Sequence, residues 1–231
     1  MGEEMFDFII NYYPMFLKGT GITILLAIIT IVSGTLIGIL ISVTRFNNKS
    51  FIGKMFNKIA DCYVSFFRGT PLMIQLFIFW FGIPQLLSIR LKPVGPIPAE
   101  FIVAAIALAI NSGAYVAEIF RAGIQAVDKG QMEAGRSLGL SEGQTLKQIL
   151  LPQAVKNILP ALGNEFVVII KESAIVSVIG LADLMYNADK VMVATYNAFG
   201  VYLVAAIIYF ILTSTCTKLV SIFERRLQQD A

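Results

Sequence analysis

Apolar and polar positions in this chain alternate on the scale of a bilayer's thickness. Residues 19–44, 69–89 and 191–217 carry no charge at all. A helix needs roughly 20 residues to cross the hydrocarbon core. Residues 19–44 alone would give about 39 Å of helix at the usual rise per residue, enough to span with tilt. Two further apolar runs are interrupted: residues 101–117 continue past Glu118, and residues 157–181 are broken by Glu165, Lys171 and Glu172. The pattern predicts an all-α integral membrane protein with about five transmembrane helices, forming one domain over residues 1–231. Connecting segments are expected near 45–60, 90–100, 121–157 and 182–196.

Composition supports the bilayer as solvent. The chain is 57% hydrophobic and only 14% charged, with mean hydropathy +0.76, whereas soluble domains carry roughly a quarter charged residues. The net charge of +3 does not mark a nucleic-acid partner, because the cations sit between apolar runs and build no single basic face. They report orientation instead. Segments 45–68, 121–156 and 218–226 collect most of the lysines and arginines, against Lys18, Arg90, Lys92, Lys171 and Lys190 on the other side. Cytoplasmic loops carry that excess, so an odd number of spans places the N-terminus outside and the Arg225–Arg226 tail in the cytoplasm. The acidic start of the chain and the long apolar run after it read as a retained first span, not as a cleaved signal.

Several chemistries are excluded. With no histidine, there can be no histidine-ligated metal, Ser-His triad or histidine proton relay. Cys62 and Cys216 have neither disulfide-framework nor metal-cluster spacing. No Gly-x4-Gly-Lys-Ser/Thr loop is present to cradle phosphates, so the chain is expected to hold no cofactor and to be no enzyme. Three readings remain: a permease powered by another subunit, a self-sufficient transporter or channel, and a membrane scaffold. The lack of an internal repeat opposes an inverted-repeat transporter.

The segment of about 129–152 is too polar to span, yet it has helical features in two pieces. Residues 131–138 can form one helix, ended by Gly139, since glycine tolerates the left-handed cap conformation. Ser141 can cap a second helix over residues 142–150, with Pro152 closing it. The residues alone also fit a solvated amphipathic linker.

Glu133-Ala134-Gly135, Gly139 and Ile149-x-Leu151-Pro152 resemble the E-A-A, G, I-x-L-P signature of ABC importer permeases, with Gly135 in place of the second alanine. Three other stretches, Ser65 to Gln75, Asn111 to Gly123 and Ile170 to Gly180, are similar to the polar amino-acid subfamily and follow its order. The resemblance covers roughly residues 15–225. It implies a type I importer in a bacterial cytoplasmic membrane, with a second permease copy or homologue, two ABC ATPase subunits that bind the ATP and Mg, and an extracytoplasmic solute-binding protein. Glu133, Ala134, Gly135, Gly139, Ile149, Leu151 and Pro152 would then form the coupling helix that meets the ATPase. Gly135 and Gly139 would allow close backbone approach. Glu133 would either pair with a cation on the partner or favour its own helix start.

Ionisable groups inside spans usually face a cavity or a partner. Asn111, Tyr115 and Glu118 share one helical face by spacing, and Glu165 and Glu172 share another beside Asn164 and Lys171. All six of Glu118, Asn164, Asn111, Tyr115, Glu165 and Glu172 are candidate substrate contacts. The competing reading has these side chains fixing helix contacts or snorkelling. Three acids against Lys171 leave the path net acidic, which favours a basic amino acid of the arginine, lysine or histidine type.

Overall fold

The structure, a computed structural model, describes residues 8–45, 51–128 and 130–229. The acidic residues 1–7 and the cations Lys49 and Lys129, which entered the orientation argument, lie outside the described residues. What is described is helical, joined by turns and one isolated bridge between Val94 and Ile97. The helices are α1 (Phe8–Arg45), α2 (Phe51–Gly69), α3 (Leu72–Phe77), α4 (Ile83–Leu87), α5 (Ala99–Gln125), α6 (Gly130–Ser137), α7 (Glu142–Thr145), α8 (Leu151–Glu172), α9 (Leu184–Thr195) and α10 (Ala198–Gln229).

Among the described residues, the helical stretches Phe8–Thr44, Ala99–Gln125 and Ala198–Arg226 are each long and apolar enough to cross a membrane. A fourth candidate is a bent pair, Ile52–Gly69 with Leu72–Leu87, turning by 107°. Helix α8 is 22 residues long, but Lys156, Asn157, Asn164, Glu165, Lys171 and Glu172 keep it out of this apolar group.

Local chemistry explains the bend. Pro71 lacks an N–H and pushes the residue before it out of the helical region, so α2 stops at Gly69 and α3 starts afresh with Pro71 as its N-cap. The carbonyls freed at such a break need donors when no water reaches them. Gln75 Nε2 supplies them, donating to the carbonyl oxygens of Phe67 at 2.9 Å and Thr70 at 3.0 Å.

Four expectations from sequence need correction. Residues 69–89 are not one straight span, because the Gly69–Pro71 break and a π turn at Ile78–Gly82 ahead of Pro84 divide them. The expected connector 45–60 is largely helix α2, which buries Val64 against Ala114 and Ala117 of α5. The expected connector 182–196 holds α9, capped by the buried Asp183, whose carboxylate accepts from the Tyr186 amide at 2.9 Å. Pro152 does not close the second coupling piece. A π turn over Leu146–Leu150 directs the Leu151 N–H to the carbonyl of Leu146. The added residue in that turn relieves the clash a proline ring makes with the preceding turn, and α8 runs on through Pro152.

The centre of the fold is the α1–α5 crossing. A Cβ on Gly34 would lie 2.7 Å from Ser112 Oγ, and one on Gly38 would lie 2.5 Å from Val116 Cγ1. Glycine therefore sets the distance of closest approach, as small residues do where membrane helices pack. Leu26 of α1, Leu76 of α3, Ala104 and Ala107 of α5 and Val176 form one fully buried cluster. Leu184 and Val191 of α9 pack with Phe16 of α1 and Val201 of α10 in another.

Candidate transport cavity and coupling hairpin

The hairpin follows from its own sequence. Helix α6 ends at Ser137, and Gly139 takes a left-handed φ of 83°, so its N–H reaches the carbonyl of Arg136 at 3.0 Å and the Leu140 N–H reaches that of Gly135 at 3.1 Å. Ser141 then opens α7 with a reciprocal cap. Its hydroxyl accepts from the Gln144 amide at 3.3 Å, while Gln144 Oε1 accepts from the Ser141 amide at 2.9 Å. Such a capping box satisfies two donors that would otherwise be unpaired.

The seven coupling candidates divide by exposure. Glu133, Ala134, Gly139, Leu151 and Pro152 are exposed, while Ile149 is half-buried. Gly135 is buried. Its close approach is to Thr145 within the hairpin: a Cβ there would overlap Thr145 Cγ2 and lie 2.7 Å from Thr145 Oγ1. The sequence placed this glycine at the partner surface, whereas the structure uses it to close α6 onto α7.

Thr30 of α1, Leu72 of α3, Leu108, Asn111 and Ser112 of α5, and Glu165, Ile169 and Glu172 of α8 line a small cavity. Its lining holds two carboxylates and no cation. Ser112 Oγ donates to Glu165 Oε1 at 3.2 Å. The Asn111 amide donates to Gln75 Oε1 at 2.8 Å and to the Phe67 carbonyl at 3.2 Å, tying the cavity wall to the break between α2 and α3.

Three of the six substrate candidates, Asn111, Glu165 and Glu172, therefore meet at one cavity. Glu118 and Tyr115 form a neighbouring group. Arg121 Nε donates to the two Glu118 carboxylate oxygens at 3.0 and 2.9 Å, and its Nη2 also pairs with Oε1. Arg68 Nη1 lies 3.9 Å from Glu118 Oε1, and the Arg68 guanidinium sits 5.4 Å from the centroid of the Tyr115 ring. Asn164 is exposed on α8 and is not among the cavity-lining residues. Sequence reasoning passed over Ser112, Gln75, Arg68 and Thr145. The first three lie inside the stretches Asn111 to Gly123 and Ser65 to Gln75, so that signal was available. Thr145 became visible only through its contact with Gly135.

An all-helical chain with apolar spans, a charged helix against an acidic cavity and a capped polar hairpin has the architecture of a membrane transport subunit. Over residues 34–229 it matches the family described as binding-protein-dependent transport system inner membrane component. The chain belongs to that family and is a multi-pass inner-membrane amino-acid ABC transporter permease. It is 42% identical to the arginine transport system permease protein ArtQ of Bacillus subtilis over 97% of this chain and 98% of that protein. It is equally 42% identical to the putative glutamine transport system permease protein GlnP of Rickettsia conorii, over 96% of this chain and 99% of that one. Its fold superposes on a crystal structure of an amino acid ABC transporter with histidines at a TM-score of 0.87 and 45% identity, covering 96% of this chain and 98% of that one. The inward-facing MetNI methionine ABC transporter shares the fold at a TM-score of 0.74 and 17% identity, over 92% of this chain and 96% of that one. As a permease subunit of an ABC importer, the chain works with ATPase and binding-protein partners.

Proposed function

We propose that this permease passes a basic amino acid of the arginine, lysine or histidine type, and that the Glu165–Glu172 cavity is where the cargo meets the membrane subunit. The relatives' names include both arginine and glutamine permeases, so they do not fix the cargo. The observation that carries the reading is the lining itself: two carboxylates from one helix, with no lysine or arginine among the lining residues. A pair of acids in an apolar surrounding is costly unless compensated, and a cargo with two positive groups compensates both. Asn111 shapes the wall.

Power comes from a separate ATPase that holds the ATP and Mg, with no cofactor in this chain. The 130–152 hairpin meets that partner through its exposed residues Glu133, Ala134, Gly139, Leu151 and Pro152. The rigidly capped hairpin passes the partner's motion into α8, which continues it without a break. A second permease copy or homologue completes the path, and an extracytoplasmic binding protein delivers the cargo.

The test is ATP-driven uptake by the reconstituted complex with Glu165→Gln. Loss of a charged hydrogen-bonding group is worth about 1.5–3 kcal/mol, so arginine affinity at the membrane site falls by roughly tenfold to a hundredfold while glutamine affinity changes little. Equal losses for arginine and glutamine, or none for either, refute the basic-cargo reading.

A further inference from the structure

The cavity between α1, α5 and α8 has room for about one water-sized sphere, about 10 Å³. It must widen to admit an amino acid, and its acids call for a smaller partner until then. We propose that the cavity is a binding site for one small monovalent cation, sodium by the character of its ligands, held by Thr30, Asn111, Ser112 and the Glu165 carboxylate. The ion site rests on the lining alone; displacement of the ion by cargo rests on reading the same cavity as the amino-acid path.

Thr30 breaks a pattern that other hydroxyls of this chain keep. Thr20, Thr195 and Thr215 each turn back on the carbonyl four residues earlier, at 2.7, 2.8 and 2.7 Å. Thr30 is fully buried and lines the cavity, yet its Oγ1 has no hydrogen-bond partner. A buried oxygen left unmatched is costly unless something in the cavity meets it. Packing sets Thr30 beside the acid. Gly34, one turn further along α1, sits against Ser112, where a Cβ would lie 2.7 Å from Oγ, and Ser112 Oγ donates to Glu165 Oε1 at 3.2 Å.

The donation by Ser112 uses its one proton and leaves its oxygen lone pairs for a ligand. Asn111 gives its amide hydrogens to Gln75 and to the Phe67 carbonyl, so what it offers a ligand is its carbonyl oxygen. The polar lining groups thus present oxygens, the donor set of hard cations. Arg68 and Lys171, whose charges reach Glu165 and Glu172, are exposed and outside the lining. A divalent ion gathers about six to eight oxygens. With Glu172 exposed, one carboxylate and three neutral oxygens suit a single positive charge.

The experiment measures binding of radiolabelled sodium to the permease–ATPase complex in nanodiscs, without binding protein or amino acid, at an ionic strength held constant with N-methylglucamine. Saturable binding is expected for the wild type. Thr30→Val, which keeps the shape and loses the hydroxyl, weakens it about tenfold, and Thr30→Ser restores it. Glu165→Gln weakens it by roughly tenfold to a hundredfold. If Glu165→Gln does not assemble, the two Thr30 variants decide. The proposal is overturned if the wild type binds no sodium at any pH the complex tolerates, which would leave water or protons in that role. It is also overturned if Thr30→Val binds as the wild type does, or if calcium or magnesium displaces sodium at a lower concentration than sodium itself needs. Added arginine then tests the other reading separately: sodium binding unchanged by saturating arginine removes the cargo from this cavity and leaves the ion site standing.

Discussion

Gly135→Ala gives this chain the alanine that the importer-permease signature carries at that position, and the structure predicts that it is harmful here. The new Cβ would overlap Thr145 Cγ2 and lie 2.7 Å from Thr145 Oγ1 and 3.1 Å from Thr145 Cβ. Thr145 cannot easily yield, since it is fully buried and its hydroxyl donates to the Ser141 carbonyl at 3.0 Å. Helices α6 and α7 must separate, which strains the Leu140 N–H bond to Gly135 that closes the turn. Overpacking of this kind costs about 1–3 kcal/mol, enough to raise the open fraction of the hairpin by about 5- to 150-fold. Hydrogen–deuterium exchange at Leu140 and Thr145 in the assembled complex reads the opening, and ATP-driven uptake reads its consequence. Faster exchange and weaker uptake are expected for Gly135→Ala. The double variant with Thr145→Ala removes the two nearest obstructing atoms and should return exchange to the rate of Thr145→Ala alone. Wild-type exchange in Gly135→Ala, or failure of the second change to rescue the first, would refute the size-exchange account.

Three further outcomes follow from named contacts. Ser141→Ala removes the cap of α7 and should cost about 1 kcal/mol, seen as faster exchange at Gln144; an unchanged rate there sinks the capping argument. Gly38→Val places a side chain where even a Cβ lies 2.5 Å from Val116 Cγ1, so the purified complex should melt earlier, by an amount equivalent to about 1–3 kcal/mol or more, and an unshifted melt contradicts the α1–α5 crossing. Asn111→Leu leaves Gln75 Oε1 without the donor now 2.8 Å away, at a cost of about 1–3 kcal/mol. A wild-type melting temperature would show that this amide does not hold the break.

The order of stability within the molecule bears on coupling. The hairpin is held by caps and one buried Gly–Thr contact, whereas the spans are held by glycine-mediated helix crossings and buried apolar clusters. Local opening draws on regions with few buried contacts, so weakening the hairpin should uncouple ATP use from uptake before it unfolds the spans. Continuity of the helix from the π turn into α8 puts the carboxylates of Glu165 and Glu172 on the helix into which the capped hairpin leads.

The sequence alone determined the membrane class, the apolar spans and the two-piece hairpin turning at Gly139, because each depends on residues a few positions apart: charge-free length, a left-handed glycine, a serine cap. It could not decide the direction of the chain after Gly69, since a charge-free run looks the same whether straight or bent by 107°. Nor could it foresee that a π turn would carry the helix through Pro152, as the rule that proline ends a helix assumes an ordinary α turn. The site divided along the same line. Asn111, Glu165 and Glu172 were legible as polar residues in apolar surroundings. Only the tertiary structure brought Ser112 of α5 to Glu165 of α8, joined Asn111 to Gln75 across the break, gave Glu118 to Arg121, and set Arg68 against Tyr115. Spacing along one helix fixes which residues share a face; the crossing of separate helices decides what that face meets.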